Sequence, residues 1–115
     1  MSIEILRAPI AIGDLARLAA QQFGEFVKAV VDVQRGVMAI GGELHADEEA
    51  ALIDDGARQA DLWGINLYPE RAPAERIEFD SMINVRPSQG NRSRGVDDDR
   101  VRRQIEDVVA RLVVP

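Results

Sequence analysis

Cysteine is absent from this chain of 115 residues, so neither a disulfide nor a thiolate metal centre is available to it. Aromatic residues are scarce at 4%, too few to build the stacking platforms that single-stranded nucleic acid requires. Basic residues are in the minority. Fourteen Lys and Arg against twenty Asp and Glu leave a net charge of −6, which disfavours binding duplex nucleic acid over a broad face. No apolar run approaches the roughly 20 residues of a membrane helix. The N-terminal stretch MSIEILRAPIAIGDLARLAA carries a glutamate and an aspartate in its apolar region and makes a poor signal peptide. These absences together imply a cytoplasmic protein that does not engage a membrane.

What is present suits a globular chain. Hydrophobic residues make up 46% and charged residues 30%, the balance of one domain with one core over residues 1–115. Residues 3–6, IEIL, read as a short edge strand ahead of Pro9. Leu15, Leu18, Ala19, Gln22 and Phe23 share a helical stripe, with Asp14 in the first turn and Gly24 after the end, which predicts a helix over 14–23. Val27, Ala29, Val31 and Val33 then alternate with Lys28, Val30, Asp32 and Gln34. That is a strand, and Arg35-Gly36 turns it into a second strand over 37–42. HADEEAALIDDGARQ reads as a helix with acidic residues at its start, an inward stripe of Ala46, Ala50, Ile53 and Ala57, and Gly56 near its end. LWGINLYP is a strand closed by Pro69. In IEFDSMINVRP, Ile77, Phe79, Ser81, Ile83 and Val85 alternate with Glu78, Asp80, Met82, Asn84 and Arg86, which predicts a strand over 77–86. Val101, Ile105, Val108 and Leu112 mark a last helix. The expected fold is α+β: an antiparallel sheet of about four strands in two hairpins, with three helices packed on one face.

Three places carry candidate chemistry. The first is the loop RPSQGNRSRG, just ahead of a helix N-terminus, where free N–H groups and the helix dipole favour anions. Arg86, Arg92 and Arg94 offer charged donors, and Ser88, Gln89, Asn91 and Ser93 offer neutral ones. Asp80 and Asn84, on the polar face of strand 77–86, extend this candidate site for a small anionic ligand. Against that reading stand Asp97, Asp98 and Asp99, which can cap the helix themselves and would repel a phosphate; the spacing of a nucleotide-binding loop is also missing. The second place is GGELHADEE. Glu43, His45 and Asp47 form a candidate metal cluster, and His45 is the only histidine. No fixed ligand spacing accompanies it, and loading of a helix start explains the same acids. The third is the suspected mixed face of the second hairpin. Met82 beside Trp63, Ile65, Leu67 and Tyr68 would make a sticky surface suited to self-association, most simply a homodimer. No Gly-x-Ser-x-Gly elbow supports a serine nucleophile, and no motif assigns a cofactor.

The segments KAVVDVQRGVMAIGGELHADEE, DLWGINLYPE and IEFDSMINVRPSQGNRSRGV together resemble a small family of prokaryotic proteins catalogued only as a domain of unknown function. The resemblance covers nearly the whole chain, is specific in those three segments and looser in the first and last helices. It implies a complete stand-alone protein of that family and carries no activity, cofactor or substrate. Three readings of function follow from the residues. The leading one is a non-catalytic binding or assembly module that forms homo-oligomers. The second is a small-ligand enzyme or sensor that uses the 86–95 loop, joined by Glu43, His45 and Asp80 if the two regions converge on one cleft. The third, single-stranded RNA binding by the arginine loop, ranks last for want of aromatics and positive charge.

Overall fold

The computed structural model describes residues 2–115. A five-stranded antiparallel sheet forms its centre. The strands are β1 (Glu4–Leu6), β3 (Val27–Asp32), β4 (Val37–Ile40), β5 (Leu62–Leu67) and β6 (Ile77–Glu78), in the spatial order β1-β4-β3-β5-β6. A separate parallel pair joins β2 (Ile10–Ala11) to β7 (Val113–Val114). The helices are α1 (Ile12–Gln21), α2 (His45–Asp54) and α3 (Asp99–Leu112). The α+β class, the mainly antiparallel sheet and the three helices are those the sequence patterns imply. No helix among the described residues is long and apolar enough to cross a membrane.

The β3–β4 hairpin is fixed by chemistry its sequence states openly. Asp32, 1% exposed, accepts from the backbone N–H groups of Gln34 and Arg35, both at 3.0 Å, and from Arg35 Nε at 2.7 Å. Gly36 then takes a φ of +69°, which a side chain would resist. β3 is central and pairs along its whole length with β5, so that Val31 faces Trp63, Ala29 faces Ile65 and Lys28 faces Asn66.

The helices do not lie on one face, as the patterns suggested. On one side, Val27, Ala29 and Val31 of β3, Met38 and Ile40 of β4, and Trp63, Ile65 and Leu67 of β5 pack under α1 and α3. On the other, Val30, Val37, Ala39 and Leu62 pack with Leu52 of α2. β4 is apolar on both faces and β3 adds Val30 to the second, and such a sheet is stable only between two layers. Each fully buried Leu, Ile or Val contributes about 1.5–3 kcal/mol of transfer free energy, so α2 cannot leave its side open without a large cost. Trp63, Ile65 and Leu67 are therefore core residues rather than part of an exposed patch. α2 is also rotated from its expected orientation: His45, Glu48 and Leu52 point inward, while Ala46, Ala50 and Ile53 do not.

The second hairpin is a larger departure. β6 pairs with β5 at only two positions, Asn66↔Glu78 and Leu67↔Ile77. Residues 79–86 then leave the sheet edge instead of continuing as a strand. Ser81 Oγ accepts from the N–H of Ile83 at 3.3 Å and starts a single 3-10 turn over Met82–Asn84. Ser81 crosses directly over Gly64, where a Cβ would come within 2.6 Å of the serine side chain. The edge that β6 abandons is closed by one side chain. Gly64 N–H donates to Asn84 Oδ1 at 2.8 Å, and Asn84 Nδ2 donates to Gly64 O at 2.9 Å.

Asn84 is fully buried, and its Nδ2 also donates to Arg94 O at 2.9 Å. Truncation to alanine strips partners from buried peptide groups, each worth about 1–3 kcal/mol when left unsatisfied. Asn84→Ala should lower unfolding free energy by about 3 kcal/mol or more in urea titrations, with little change in denaturant slope. A loss below about 0.5 kcal/mol would show that the edge closure is not a structural keystone.

Candidate functional site

A cleft of about 270 Å³ opens on the α2 side of the sheet. One wall is the start of α2, with Leu44, His45 and Ala46; the other is the crossing segment Asp80–Ile83. The floor comes from the sheet, where Lys28 of β3 and Asn66 of β5 are register partners, with Phe26 just before β3. Arg94 closes one end. Each position follows from local structure. Lys28 and Asn66 alternate with the inward apolar residues of their strands, and the pleat turns both to the α2 side. His45 is the first residue of its helix and is turned inward with Glu48 and Leu52.

The groups in the cleft differ in how far they are committed. Arg94 Nε donates to Asp80 Oδ1 at 2.7 Å, so those opposite charges offset each other. The Lys28 ammonium lies 5.2 Å from the centre of the Phe23 ring, and among the described residues it has no ion-pair partner. Asn66 Nδ2 donates to Glu78 Oε1 at 2.8 Å, which fixes the amide orientation because a carboxylate only accepts. Asn66 Oδ1 is buried and unpartnered. His45 Nε2 lies 2.8 Å from the carbonyl oxygen of Ile65, so that nitrogen must donate and the neutral ring carries its lone pair on Nδ1. Burial lowers the His45 pKa. Lys28 and Arg94 push the same way, while the Ile65 carbonyl and Asp80 oppose. His45 is therefore a neutral imidazole at pH 7.

One turn deeper, Glu48 is completely buried. Its Oε2 accepts from Gly42 N–H at 3.0 Å, and its Oε1 has no partner. Gly42 makes this possible, since a Cβ there would sit 2.7 Å from Glu48 Cγ. Burial pushes the Glu48 carboxyl up to about 9, against the opposing influence of the Gly42 hydrogen bond and Lys28. It is therefore protonated at pH 7.

The residues singled out in the 86–95 loop fall into two groups. Arg94 and Asp80, together with His45, meet in the cleft. The rest are engaged elsewhere or face solvent. Arg86 lies over the Trp63 ring at 4.2 Å, donates to Gln59 O at 2.7 Å and also donates to Leu62 O. Gln89 donates to Ala60 O at 2.8 Å. Asn84 closes the β5 edge. Asn91, 4% exposed, donates to the carbonyls of Asn84, Ser93 and Gly95 and accepts from Asp97 N–H. Ser93 Oγ donates to Asp97 Oδ1 at 2.6 Å, and Asp97 also accepts from Arg92 N–H. Asp98 caps α3 by accepting from Arg100 N–H. Ser88 and the Arg92 side chain are exposed.

The Glu43, His45 and Asp47 trio does not converge. His45 turns inward while Glu43 and Asp47 are exposed, and no group of three or more candidate ligands among the described residues is placed to hold a metal. Lys28, Asn66, Ser81 and Glu48 belong to the site or its support and were not among the candidate site residues, although the sequence reading does set Asn66 beside the polar face of strand 77–86. A signal for two of them existed: Lys28 and Asn66 are polar residues between apolar neighbours on two inner strands.

The two titratable groups beneath the cleft act on stability in opposite senses. Glu48 has its pKa raised in the folded state, so its contribution is full below about 4.5 and is lost as pH rises toward about 9. His45 has its pKa lowered, so its contribution holds above 6.5 and is lost as pH falls below it. Glu48→Gln should therefore flatten the decline in melting temperature between pH 5 and 9, where one such group supplies a slope of up to about 1.4 kcal/mol per pH unit. Equal alkaline slopes in the wild type and the variant would mean that Glu48 is ionised in the native protein.

No curated protein and no solved structure is significantly similar to the chain. A family model does match, under the description "Protein of unknown function (DUF5674)", and it spans residues 4–112. That span takes in the whole sheet, all three helices and every residue of the cleft, and the chain belongs to this family of proteins of unknown function.

Proposed function

We propose that the protein is a non-catalytic binding and assembly module that self-associates through the face carrying α2. One observation carries this reading. The large apolar side chains left exposed among the described residues are Phe23, Leu44, Ile53, Met82 and Val85; Leu44 and Ile53 lie at the two ends of α2, Met82 and Val85 on the crossing segment beside it, and Phe23, just after α1, lines a hollow with Leu44. Leu44 and Met82, 55% and 65% exposed, stand on opposite lips of the cleft. Phe23 stacks on Phe26, a cleft residue, with ring centres 5.0 Å apart. Met82 and Val85 flank the turn that crosses Gly64. Scattered exposed apolar residues need no explanation, whereas several gathered on one face with a polar rim mark a binding surface.

Charge supports a second copy as the partner. The exposed start of α2 carries Glu43 and Asp47, while the neighbouring loop carries the exposed Arg92. A two-fold contact sets each such patch against its opposite on the other copy. The 86–95 loop as an anion cradle has less support, because Arg86, Gln89, Asn91 and Ser93 already bond within the fold. RNA binding has less still, given a net charge of −6.

Light scattering on a sizing column at micromolar concentration should give twice the chain mass. The double variant Leu44→Asp, Met82→Asp should give the single-chain mass with an unchanged far-ultraviolet spectrum, because burying four unpaired carboxylates at a two-fold interface is prohibitive. A wild-type protein that stays monomeric across the micromolar range overturns the reading.

A further inference from the structure

We propose that the cleft between α2 and the crossing segment binds a small α-amino or α-hydroxy acid with an apolar side chain. The cleft shares Leu44 and Met82 with the proposed interface, but the inference rests on other groups, on what the cleft offers and what it lacks. Its one unpaired cation is Lys28, since Arg94 is held by Asp80. A carboxylate is the group a single ammonium without an ion-pair partner is suited to take. Two buried side chains of the cleft add acceptors that no donor in the fold reaches. Asn66, 8% exposed, has an Oδ1 with no partner, and its amide orientation is fixed by the bond to Glu78. His45, 9% exposed, has given its Nε2 proton to Ile65 O and so has a lone pair on Nδ1.

A ligand for this site must therefore bring a negative group and an N–H or O–H donor close together. α-Amino and α-hydroxy acids have that combination on adjacent atoms. Simple carboxylates bring acceptors only, and would leave Asn66 Oδ1 buried without a partner, a costly arrangement; inorganic phosphate keeps a P–OH donor at neutral pH but has no apolar part to offer the rest of the cleft. The remaining walls, Phe26, Leu44, Met82 and Ile83, are apolar and suit an aliphatic side chain. The size agrees. About 270 Å³ is the liquid volume of roughly nine waters, room for a single amino acid and not for a nucleotide.

Calorimetric titration of the wild-type protein with four probes tests this directly. L-leucine and α-hydroxyisocaproate carry both features, isocaproate lacks the donor, and isoamylamine lacks the carboxylate. At least one of the first two should bind, and each truncated probe should bind about tenfold more weakly or worse. Which of the first two binds tighter separates the amino from the hydroxy class. Lys28→Met should weaken the productive ligand by about tenfold or more. Because the truncated probes make the same comparison on unaltered protein, the test stands even if the variant fails to fold. The proposal is overturned if neither full probe binds, if isocaproate binds as tightly as they do, if inorganic phosphate binds more tightly, or if folded Lys28→Met binds unchanged. A monomer that binds leucine would sink self-association alone, and an oligomer that binds none of the probes would sink this inference alone.

Discussion

The structure turns on a single side-chain amide. β5 lies beside the central strand β3 and needs a partner on its outer edge, yet β6 supplies only two residues of pairing. Beyond Glu78 the peptide group of Gly64 would stand bare inside the fold, a state that buried backbone does not tolerate. Asn84 closes it with a donor and an acceptor at 2.9 and 2.8 Å, the pair that a neighbouring peptide would otherwise present. Other contacts then follow. Asn84 O receives Asn91, Arg94 O receives both Asn84 Nδ2 and the N–H of Ser81, and Asn91 Oδ1 receives the N–H of Asp97 just ahead of α3. Sheet edge, loop and helix start form one bonded unit, which is why a loop so rich in polar groups leaves few of them without a partner.

The same closure makes the cleft. Because the chain crosses Gly64 instead of extending β6, Asp80 to Ile83 lie above the sheet and face α2 across a gap. The gap holds an unpaired cation and two acceptors, one of them on a neutral imidazole. Beneath it lies a protonated carboxyl that burial would not permit in its charged form. Polar groups this deep would be a liability in an ordinary core. Here each is held by backbone: His45 by Ile65 O, Glu48 by Gly42 N–H, and Asn84 by Gly64. Two glycines are required by contact, since Gly42 makes room for Glu48 and Gly64 for Ser81.

Much of this was legible from residue order. Alternation in FVKAVVDV gave β3 and the face that meets α1 and α3. The run Val101, Ile105, Val108, Leu112 gave the buried side of α3, and Asp97 to Asp99 gave the competition for its N-terminus. The strand reading of 77–86 failed because alternation does not report side-chain bonds to backbone. Period-two alternation does persist there, but Ser81 turns the chain by accepting from Ile83 N–H, and Asn84 bonds to Gly64 on β5. The inward face of α2 was misread because Ala46, Ala50, Ile53 and Ala57 outrank His45 and Glu48 in hydrophobicity. What turned the helix was the fit of two polar side chains to backbone groups of other segments.

The sequence by itself determined most local and periodic features: the three helices, the β3–β4 hairpin and β5, the acidic start of α3, the α+β class, and the absence of disulfides and of apolar runs long enough for a membrane helix. These depend on neighbours within a few residues and on the hydrophobic period, both of which are written in one dimension. Only the tertiary structure decided that α2 covers the second face, that Asn84 serves as a strand edge, and that Lys28, His45, Asn66 and Arg94 share one cleft. Those outcomes depend on hydrogen-bond partners about 20 residues apart in the chain, as Asn84 is from Gly64 and His45 from Ile65. Sequence spacing carries no record of such pairings until the sheet has brought them together.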